Sequence, residues 1–345
     1  MNISIVNPLD YSEWDTLIRL KTGCSFFHSS AWAEILIRTY SFKPFYFIKK
    51  QADFITTVLP LMETSNILGQ KKTICLPFSD FCEPLYENDS DFEEVRETAF
   101  DHGKKRNWQS IEIRGGKEVL GFLPYASYCY THEIPLIESE NVLFNTFRNS
   151  TKRNITKAKK ENVTVVHENT KQALQKFYAL HCLNRHMHGL PPQPLKFFIN
   201  IYECILKVDK GFITTAYYQK EAIASNMYFV DSGKALYKYG SLNRKYQGLR
   251  PSNLVMWEGI RQCKESGAIT LNLGRTESHH TGLLQFKRGF GAVERVVNCY
   301  KFAGNPYAPL VNILKSDQKL AKILFPRMPI WLLKLCGKML YKYSS

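Results

Sequence analysis

The sequence predicts an α/β protein of two similarly built halves, each a mixed β-sheet flanked by helices, followed by a helical tail. Three observations carry this expectation. At 345 residues the chain is long enough for two domains, each with its own core. Segments whose apolar residues alternate, as in half-buried strands, are interleaved with segments whose apolar residues recur at helical spacing. One grammar of helix, alternating strand, glycine and arginine also occurs twice: Ile111-Glu112-Ile113-Arg114-Gly115 stands to Leu271-Asn272-Leu273-Gly274-Arg275 as a degenerate repeat. The expected division is 1–140, 141–303 and a tail of 304–345, with the first boundary in the polar patch 138–141.

In the first half, Trp14, Leu17 and Ile18 mark a short helix, and Ser29-Ser30 caps a second helix carrying Trp32, Ile35 and Leu36. Strands are expected at 45–49 and 54–62, joined by polar residues 50–53. A helix over 89–106 buries Phe92, Val95, Ala99 and Phe100; its acids lie toward the N-terminus and Lys104, Lys105 and Arg106 at the C-terminus, which matches the helix dipole. Strands follow at 110–116 and 128–136. In the second half, a basic helix over 144–160 buries Phe144, Phe147, Thr151, Ile155 and Ala158. A further helix runs from Thr170 toward His186. The segment Gly189-Leu190-Pro191-Pro192-Gln193-Pro194 must be extended or turned, because each proline disfavours helix for its predecessor. Phe198, Ile201, Tyr202 and Ile205 mark another helix, 212–241 reads as a three-strand meander, and Pro251-Ser252 opens a helix ending near Gly267. Ile269, Leu271 and Leu273 then alternate as a buried strand, before a basic segment in which Gly289 and Gly291 let the backbone approach something closely.

The formal net charge of +15 implies an anionic partner where the charge is clustered. Six bases and no acid lie between Phe144 and Lys160, and six more bases follow Asp317 without an acid. Nine scattered cysteines with no C-x-x-C pair read as reduced residues of a cytoplasmic protein, neither a disulfide frame nor a zinc site. The N-terminal residues lack the pattern of a secretory leader, and no apolar run reaches the roughly 18 residues of a membrane span. Histidines 181, 186, 188, 279 and 280 lack the spacing of a metal motif, so no metal is expected.

Four phrases, in order, resemble the Fem-type branch of the GNAT acyltransferases: Leu76 to Tyr86 (LPFSDFCEPLY), His186 to Pro194 (HMHGLPPQP), Leu236 to Ser241 (LYKYGS), and Leu273 to Ala292 (LGRTESHHTGLLQFKRGFGA). The resemblance implies two GNAT-like domains, the second holding most donor contacts, with the acceptor admitted between them. It also implies that the loop Arg244 to Asn253 and the following helix N-terminus hold donor phosphates; Leu249 and Arg250 stand where such loops usually carry a second small residue. The branch includes peptidoglycan aminoacyltransferases and acyltransferases of envelope polysaccharide clusters.

Acyl transfer needs an oriented donor and stabilisation of the developing oxyanion, and no nucleophilic residue. No G-x-S-x-G elbow or Cys–His pairing points to a covalent intermediate. Gly248, Ser252 and Asn253 are candidate donor-phosphate contacts, with a plain helix cap as the alternative. Lys238, mid-strand, must reach solvent, a groove or a carboxylate, and in a groove it is a donor-phosphate or oxyanion contact; Leu236, Lys238 and Gly240 are expected on one strand face, Tyr237 and Tyr239 on the other. Tyr239, Arg275 and Lys287 are the catalytic candidates, Arg275 and Glu277 leaving a strand end where ligand contacts concentrate, or forming a structural ion pair; Lys287 is implied by the resemblance, with a solvated surface lysine as the alternative. Asp80, His188 and Glu277 are acceptor candidates, with structural hydrogen bonds as the alternative. Arg153 on the basic helix would meet an anionic donor, with a solvated helix face as the alternative.

These readings support three functions. The first is transfer of an acyl group from coenzyme A or an acyl-carrier-protein thioester to an amine or hydroxyl of a cell-envelope polysaccharide or lipid-linked precursor. The second takes the donor as aminoacyl-tRNA and the product as a peptidoglycan precursor. The third is an inactive module binding RNA or membrane through its basic faces. At the C-terminus, Lys334, Lys338 and Lys342 fall four apart on a segment rich in Ile330, Trp331, Leu332, Leu333, Leu335, Met339 and Leu340. This is the composition of a helix lying on the anionic inner face of the cytoplasmic membrane, or of one packed on the protein body. Pro326 and Pro329 are expected to split the tail into two helical pieces.

Overall fold

The computed structural model describes residues 3–52, 54–303 and 325–343. It divides into two compact units, one of Met1–Tyr130, Val296–Lys315 and Leu340–Ser345, the other of Thr131–Arg295 and Ser316–Met339. In chain order the first part contains β1 (Ile3–Val6), α1 (Trp14–Arg19), α2 (Ser30–Tyr40), β2 (Lys43–Gln51), β3 (Phe54–Ser65), β4 (Lys71–Ile74), β5 (Leu85–Tyr86), α3 (Asp89–Arg106), β6 (Ile111–Arg114), α4 (Lys117–Leu120) and β7 (Ser127–Pro135). Then come α5 (Glu140–Thr146), α6 (Asn149–Lys160), β8 (Thr164–Glu168), α7 (Lys171–Met187), α8 (Leu195–Ile201), β9 (Gly211–Tyr218), β10 (Glu221–Asp231), β11 (Lys234–Leu242), α9 (Pro251–Glu265), β12 (Thr270–Asn272), β13 (Thr276–Glu277), α10 (Thr281–Arg288), β14 (Val293–Phe302) and α11 (Ile330–Leu340).

The sheet of the first unit runs β1-β2-β3-β4-β6-β14. The first four strands are successively antiparallel, β6 lies parallel to β4, and Cys299–Phe302 of β14 close the sheet antiparallel to β6. The sheet of the second unit runs β8-β9-β10-β11-β12-β7, and its senses are the same: four antiparallel strands, β12 parallel to β11, and Glu133–Pro135 of β7 antiparallel to β12. The repeat seen in the sequence therefore holds strand for strand. Helix α3 precedes β6 as α9 precedes β12, each leading into the parallel strand of its sheet. The closing strand of each sheet is the one that follows the other unit's parallel strand in the chain.

The core of the second unit is built against α9, whose buried Leu254, Val255, Met256, Trp257, Ile260 and Cys263 recur at helical spacing. Gly259 sets how closely this helix lies on β10: a methyl there would fall 2.2 Å from the Tyr228 hydroxyl oxygen. On α7, the His181 ring lies 5.0 Å from Phe198 and 6.0 Å from Tyr239, and it donates through Nε2 to Gln193 Oε1 at 2.8 Å. Tyr178 donates to the Gln193 carbonyl at 3.2 Å, so α7 pins the extended proline segment at two points.

Several expectations are corrected here. The helix expected over 144–160 is two helices, because Phe147 is extended and Arg148 donates its N–H to the Gly289 carbonyl; breaking the helix lets Phe147 bury itself against Trp257 and Phe290. Phe144 is half-buried, and Leu143 fills the core in its place. Ile269 is 58% exposed, since the strand begins one residue later. The basic glycine segment contains α10, and the close approaches at its glycines are to the unit's own helices: a methyl on Gly289 or Gly291 would fall 2.6 Å from the hydroxyl of Thr151 or Thr146 respectively. The edge strands β1 and β8 were not anticipated, for their short, partly exposed patterns carry no clean alternation. Of the two helical pieces expected in the tail, only α11 lies among the described residues, preceded by a 3-10 turn Phe325–Arg327.

Two predictions follow from the packing. Gly259→Val is expected to destabilise the protein by about 1–3 kcal/mol, because the helix must lift off Tyr228; chemical denaturation measures it. Burial, with Arg185 adding to it, pushes the His181 pKa down to about 3 from the ordinary 6.5. The folded state thus refuses a proton that the unfolded state accepts, so this contribution is complete above pH 6.5 and is lost progressively as pH falls toward 3. Between pH 7 and pH 4.5 the wild type should lose about 2 kcal/mol more stability than His181→Gln. Equal losses in the two proteins would show that His181 does not carry this acid sensitivity.

Candidate active site

The arrangement that distinguishes the second unit begins where β12 stops. The parallel ladder between β11 and β12 pairs Lys234 with Thr270, Ala235 with Leu271 and Leu236 with Asn272, and ends there, although β11 continues to Leu242. Asn272 ends its strand by local hydrogen bonding: Oδ1 accepts the Gly274 N–H at 2.8 Å and the Thr131 hydroxyl at 2.9 Å. Gly274, at φ +72°, then turns the chain through a conformation that suits glycine. The buried Lys287 of α10 holds this turn, donating from Nζ to the carbonyl oxygens of Gly274 at 2.8 Å and Arg275 at 3.2 Å. Residues 237–242 of β11 therefore run on without a β12 partner.

The same stretch of β11 carries an irregularity. Its register against β10 shifts between Met227, opposite Tyr239, and Tyr228, opposite Tyr237, which leaves Lys238 as the bulged residue. This corrects the expected alternation, in which Tyr237 and Tyr239 shared a face. Tyr237 packs with Tyr228 in the core beneath α9, whereas Tyr239 packs with Phe177, His181, Phe197 and Phe198 of α7 and α8. Gly240 leaves room beside the bulge, where a methyl would lie 1.9 Å from the Tyr237 hydroxyl oxygen. The Lys238 ammonium lies 5.2 Å from the centroid of the Tyr239 ring.

Beyond β11, the segment Arg244–Leu249 forms a 3-10 turn that Asn243 caps by accepting the Lys245 N–H, and it delivers the chain into α9. Arg250, at φ 60°, is the N-cap of α9 and makes no side-chain cap; Pro251 follows at the first turn. Arg244, Lys245, Gly248 and Arg250 are exposed, and Ser252 and Asn253 are half-buried in the first turn of the helix. No acid occurs between Arg244 and Trp257, so the positive end of the α9 dipole is reinforced by three cations.

The corresponding helix terminus in the first unit carries acids of its own. There β4 ends at Ile74, and the chain turns through Leu76 and Phe78 at φ 46° and 59°. The equivalent helix α3 is capped by Asn88, whose Oδ1 accepts the Asp91 N–H at 2.8 Å, and its first turn carries Asp89 and Asp91. Asp91 and Glu94 in turn accept from the buried Lys49 ammonium at 2.6 and 2.7 Å. Side-chain carboxylates already complement that helix terminus.

Around the 274–277 turn, the structure brings three of the expected residues together. Arg275 Nη2 and Glu277 Oε1 lie 3.0 Å apart, both half-buried, and Lys287 sits behind them on the turn carbonyls. His188 ends α7, where burial, followed by the positive fields of Arg244, Arg185 and His280, lowers its pKa and favours the neutral imidazole. Arg244 and His280 accordingly join His188 in one electrostatic neighbourhood; sequence spacing gave no signal for this, as the three come from different elements. His132 is a further residue that sequence reading missed. It is buried on β7, faces Glu294 Oε2 at 3.0 Å, and has a pKa lowered by burial and then by Lys287. Arg288 makes a paired contact with the same carboxylate at 2.8 and 2.9 Å. Arg153 is exposed on α6, a helix tied to α9 through Lys159 and Glu258. Asp80 lies in the first unit, in the turn after β4. Among the described residues, no group of histidine, cysteine or carboxylate side chains is arranged to hold a metal ion.

Residues 145–288 match the family model of the acetyltransferase (GNAT) domain. Comparison with curated protein sequences yields no match. Among solved structures, the fold is similar to the crystal structure of FemX over 94% of this chain and 100% of that one, with a TM-score of 0.69 at 13% identity. The tandem GNAT protein from the clavulanic acid biosynthesis pathway matches over 88% of this chain and 99% of its own, with a TM-score of 0.56 at 9% identity. For L-PGS from Bacillus licheniformis the figures are 92% and 98%, with a TM-score of 0.54 at 12% identity. Residues 145–288 thus match a GNAT acetyltransferase domain, and the fold of the chain is similar to that of FemX along nearly its whole length.

Proposed function

We propose that this protein transfers an acyl group from a coenzyme A or acyl-carrier-protein thioester to an amine or hydroxyl of a cell-envelope polysaccharide or lipid-linked precursor. The observation that supports the reading is the basic segment that leads from the end of β11, past its ladder with β12, into the N-terminus of α9, whose first turn carries no acid. A pantetheine arm is an extended chain of amides ending in a phosphate. It needs backbone groups to pair with along its length and a positive helix end at its terminus. In the second unit the parallel strands β11 and β12 part just before such a helix end. In the first unit, carboxylates complement the equivalent helix end, so one donor per chain is expected.

The chemistry is direct attack. A lone pair of the acceptor nitrogen or oxygen adds to the thioester carbonyl, the tetrahedral oxyanion collapses, and the thiolate leaves. Arg244, Lys245, Arg250, Ser252, Asn253 and the backbone at Gly248 hold the donor phosphates, with Arg153 of α6 as an outer contact. Lys238 and Arg275 supply positive charge to the oxyanion or the leaving thiolate, and Tyr239 bounds the reacting end of the donor. His188, kept neutral near pH 7 by its surroundings, accepts the acceptor's proton. Glu277 orients Arg275, and Lys287 is a positioning residue that fixes the turn carrying them both. Asp80, in the turn after β4, is retained as an acceptor-contact candidate. Domains of about 1–140 and 141–303, before a tail, remain the proposed functional division. Nine scattered cysteines with no C-x-x-C pair support a reducing, cytoplasmic setting.

A second reading, with aminoacyl-tRNA as donor and a peptidoglycan precursor as acceptor, is favoured by one observation. Helix α6 exposes Arg153, Lys157 and Lys160 on a face with no acid.

Two experiments test the proposal. Ser252→Glu places a carboxylate in the first turn of α9, where it should leave stability unchanged or slightly raised while weakening coenzyme A binding at least 10-fold in isothermal titration. Charged tRNA and acyl carrier protein are titrated alongside, and binding of charged tRNA alone would replace the first reading with the second. Arg275→Ala should lower kcat by hundreds-fold, about 3–4 kcal/mol, with thermal unfolding unchanged. Lys287→Met should lower kcat as well, with some loss of stability because two carbonyls lose their donor. Wild-type turnover in both variants would move the site elsewhere.

A further inference from the structure

Helix α11 sits on the second unit by one face only. Leu333 and Gly337 are buried, and Gly337 is pressed so closely on the proline segment that a methyl there would lie 2.0 Å from the Pro192 carbonyl oxygen. Just before the helix, the Met328 carbonyl lies 3.0 Å from His186 Nε2, and Lys334 lies over the Tyr178 ring at 5.5 Å. The helix is thus held in one rotational setting. In that setting Trp331, Leu335 and Met339, spaced four apart, are 68%, 48% and 58% exposed. Lys334 and Lys338 are exposed on the same helix, with Lys342 just beyond it, and their spacing places them in a basic stripe beside the apolar one. No acid follows Asp317 in the sequence.

We propose that this outward face of α11 docks the protein on an anionic lipid surface. An apolar stripe of one tryptophan and two long aliphatic side chains, flanked by cations without an acid, complements the interfacial region of a bilayer bearing negative headgroups. A helix packed only for the protein's own core would bury its tryptophan; here Gly337 does the packing while the tryptophan faces out. No helix among the described residues is long and apolar enough to cross a membrane, so attachment by this face would be peripheral and reversible. The inference rests on the C-terminal helix alone and is independent of the acyl-transfer reading.

The test uses the full chain with vesicles of neutral phosphatidylcholine or of phosphatidylcholine with phosphatidylglycerol. Sedimentation with the anionic vesicles, weak sedimentation with neutral ones and release by salt are expected. Trp331 provides a local readout, because Trp14, Trp32, Trp108 and Trp257 are all buried. Its emission should shift to the blue and become protected from a soluble quencher when anionic vesicles are added, and Trp331→Phe should abolish that change. Replacing Lys334, Lys338 and Lys342 together by Gln should weaken binding on the order of 100-fold. Leu335→Ser with Met339→Ser should weaken it as well, and since these side chains face outward, thermal unfolding should stay unchanged. Absence of sedimentation with anionic vesicles would overturn the proposal, as would sedimentation that none of these variants alters. It would equally fall if the wild type self-associated in light scattering and the serine pair made it monomeric without affecting lipid binding, since the stripe would then be an interface between copies of the chain.

Discussion

The second unit depends on how strand β12 is brought to an end. Asn272 turns its side chain onto the Gly274 N–H, Gly274 takes the left-handed turn, and the buried Lys287 clamps the two carbonyls that follow. A buried ammonium is costly unless its donors are satisfied, so this lysine strongly favours the one geometry that satisfies it. Consequences run in both directions from the clamp. It peels the chain away from β11, leaving the last residues of that strand without a β12 neighbour, and it sets Arg275 and Glu277 at the point of departure.

The bulge at Lys238 completes the arrangement from the other side. With one extra residue against β10, Tyr237 turns into the core under α9 and Tyr239 into the aromatic group on α7 and α8. Both anchors hold the end of β11 beyond the last residue that pairs with β12. Helix α7 then couples this group to the proline segment, since His181, stacked among the rings, also holds Gln193. Burial keeps that histidine neutral, and the same burial makes the connection sensitive to acid.

Two units with one topology differ where it matters for an anion. In one, a helix N-terminus is followed by its own carboxylates, which also satisfy a buried lysine; in the other, the helix N-terminus is preceded by three exposed cations. The divergence needs only a few side chains, because the strand order and senses leave a helix N-terminus at the same place in each sheet. Duplication of a frame thus need not duplicate a site.

Much of the fold was legible in the sequence because periodicity and turn chemistry are local. The bounds of α3, the cap at Ser29 and each strand of the meander β9 to β11 follow from neighbouring residues, and the repeat linking β6 to β12 is two such local patterns compared. The place of Arg275 and Glu277 just past a strand end was legible for the same reason, whereas the loop before α9 was marked as a candidate by the resemblance. Tertiary structure alone decided the rest. Phe147 breaks a helix that its local pattern favours, because burial against Trp257 and Phe290 outweighs the lost helical bonds. Only the pairing with β10 could place a bulge at Lys238, and only the fold could bring Arg244, His188 and His280 into one field or set Lys287 behind the turn. Alternation in the sequence says which residues can share a face. Which partner strand, which helix and which carbonyl each of them meets is fixed by contacts between residues far apart in the chain, and those no local pattern encodes.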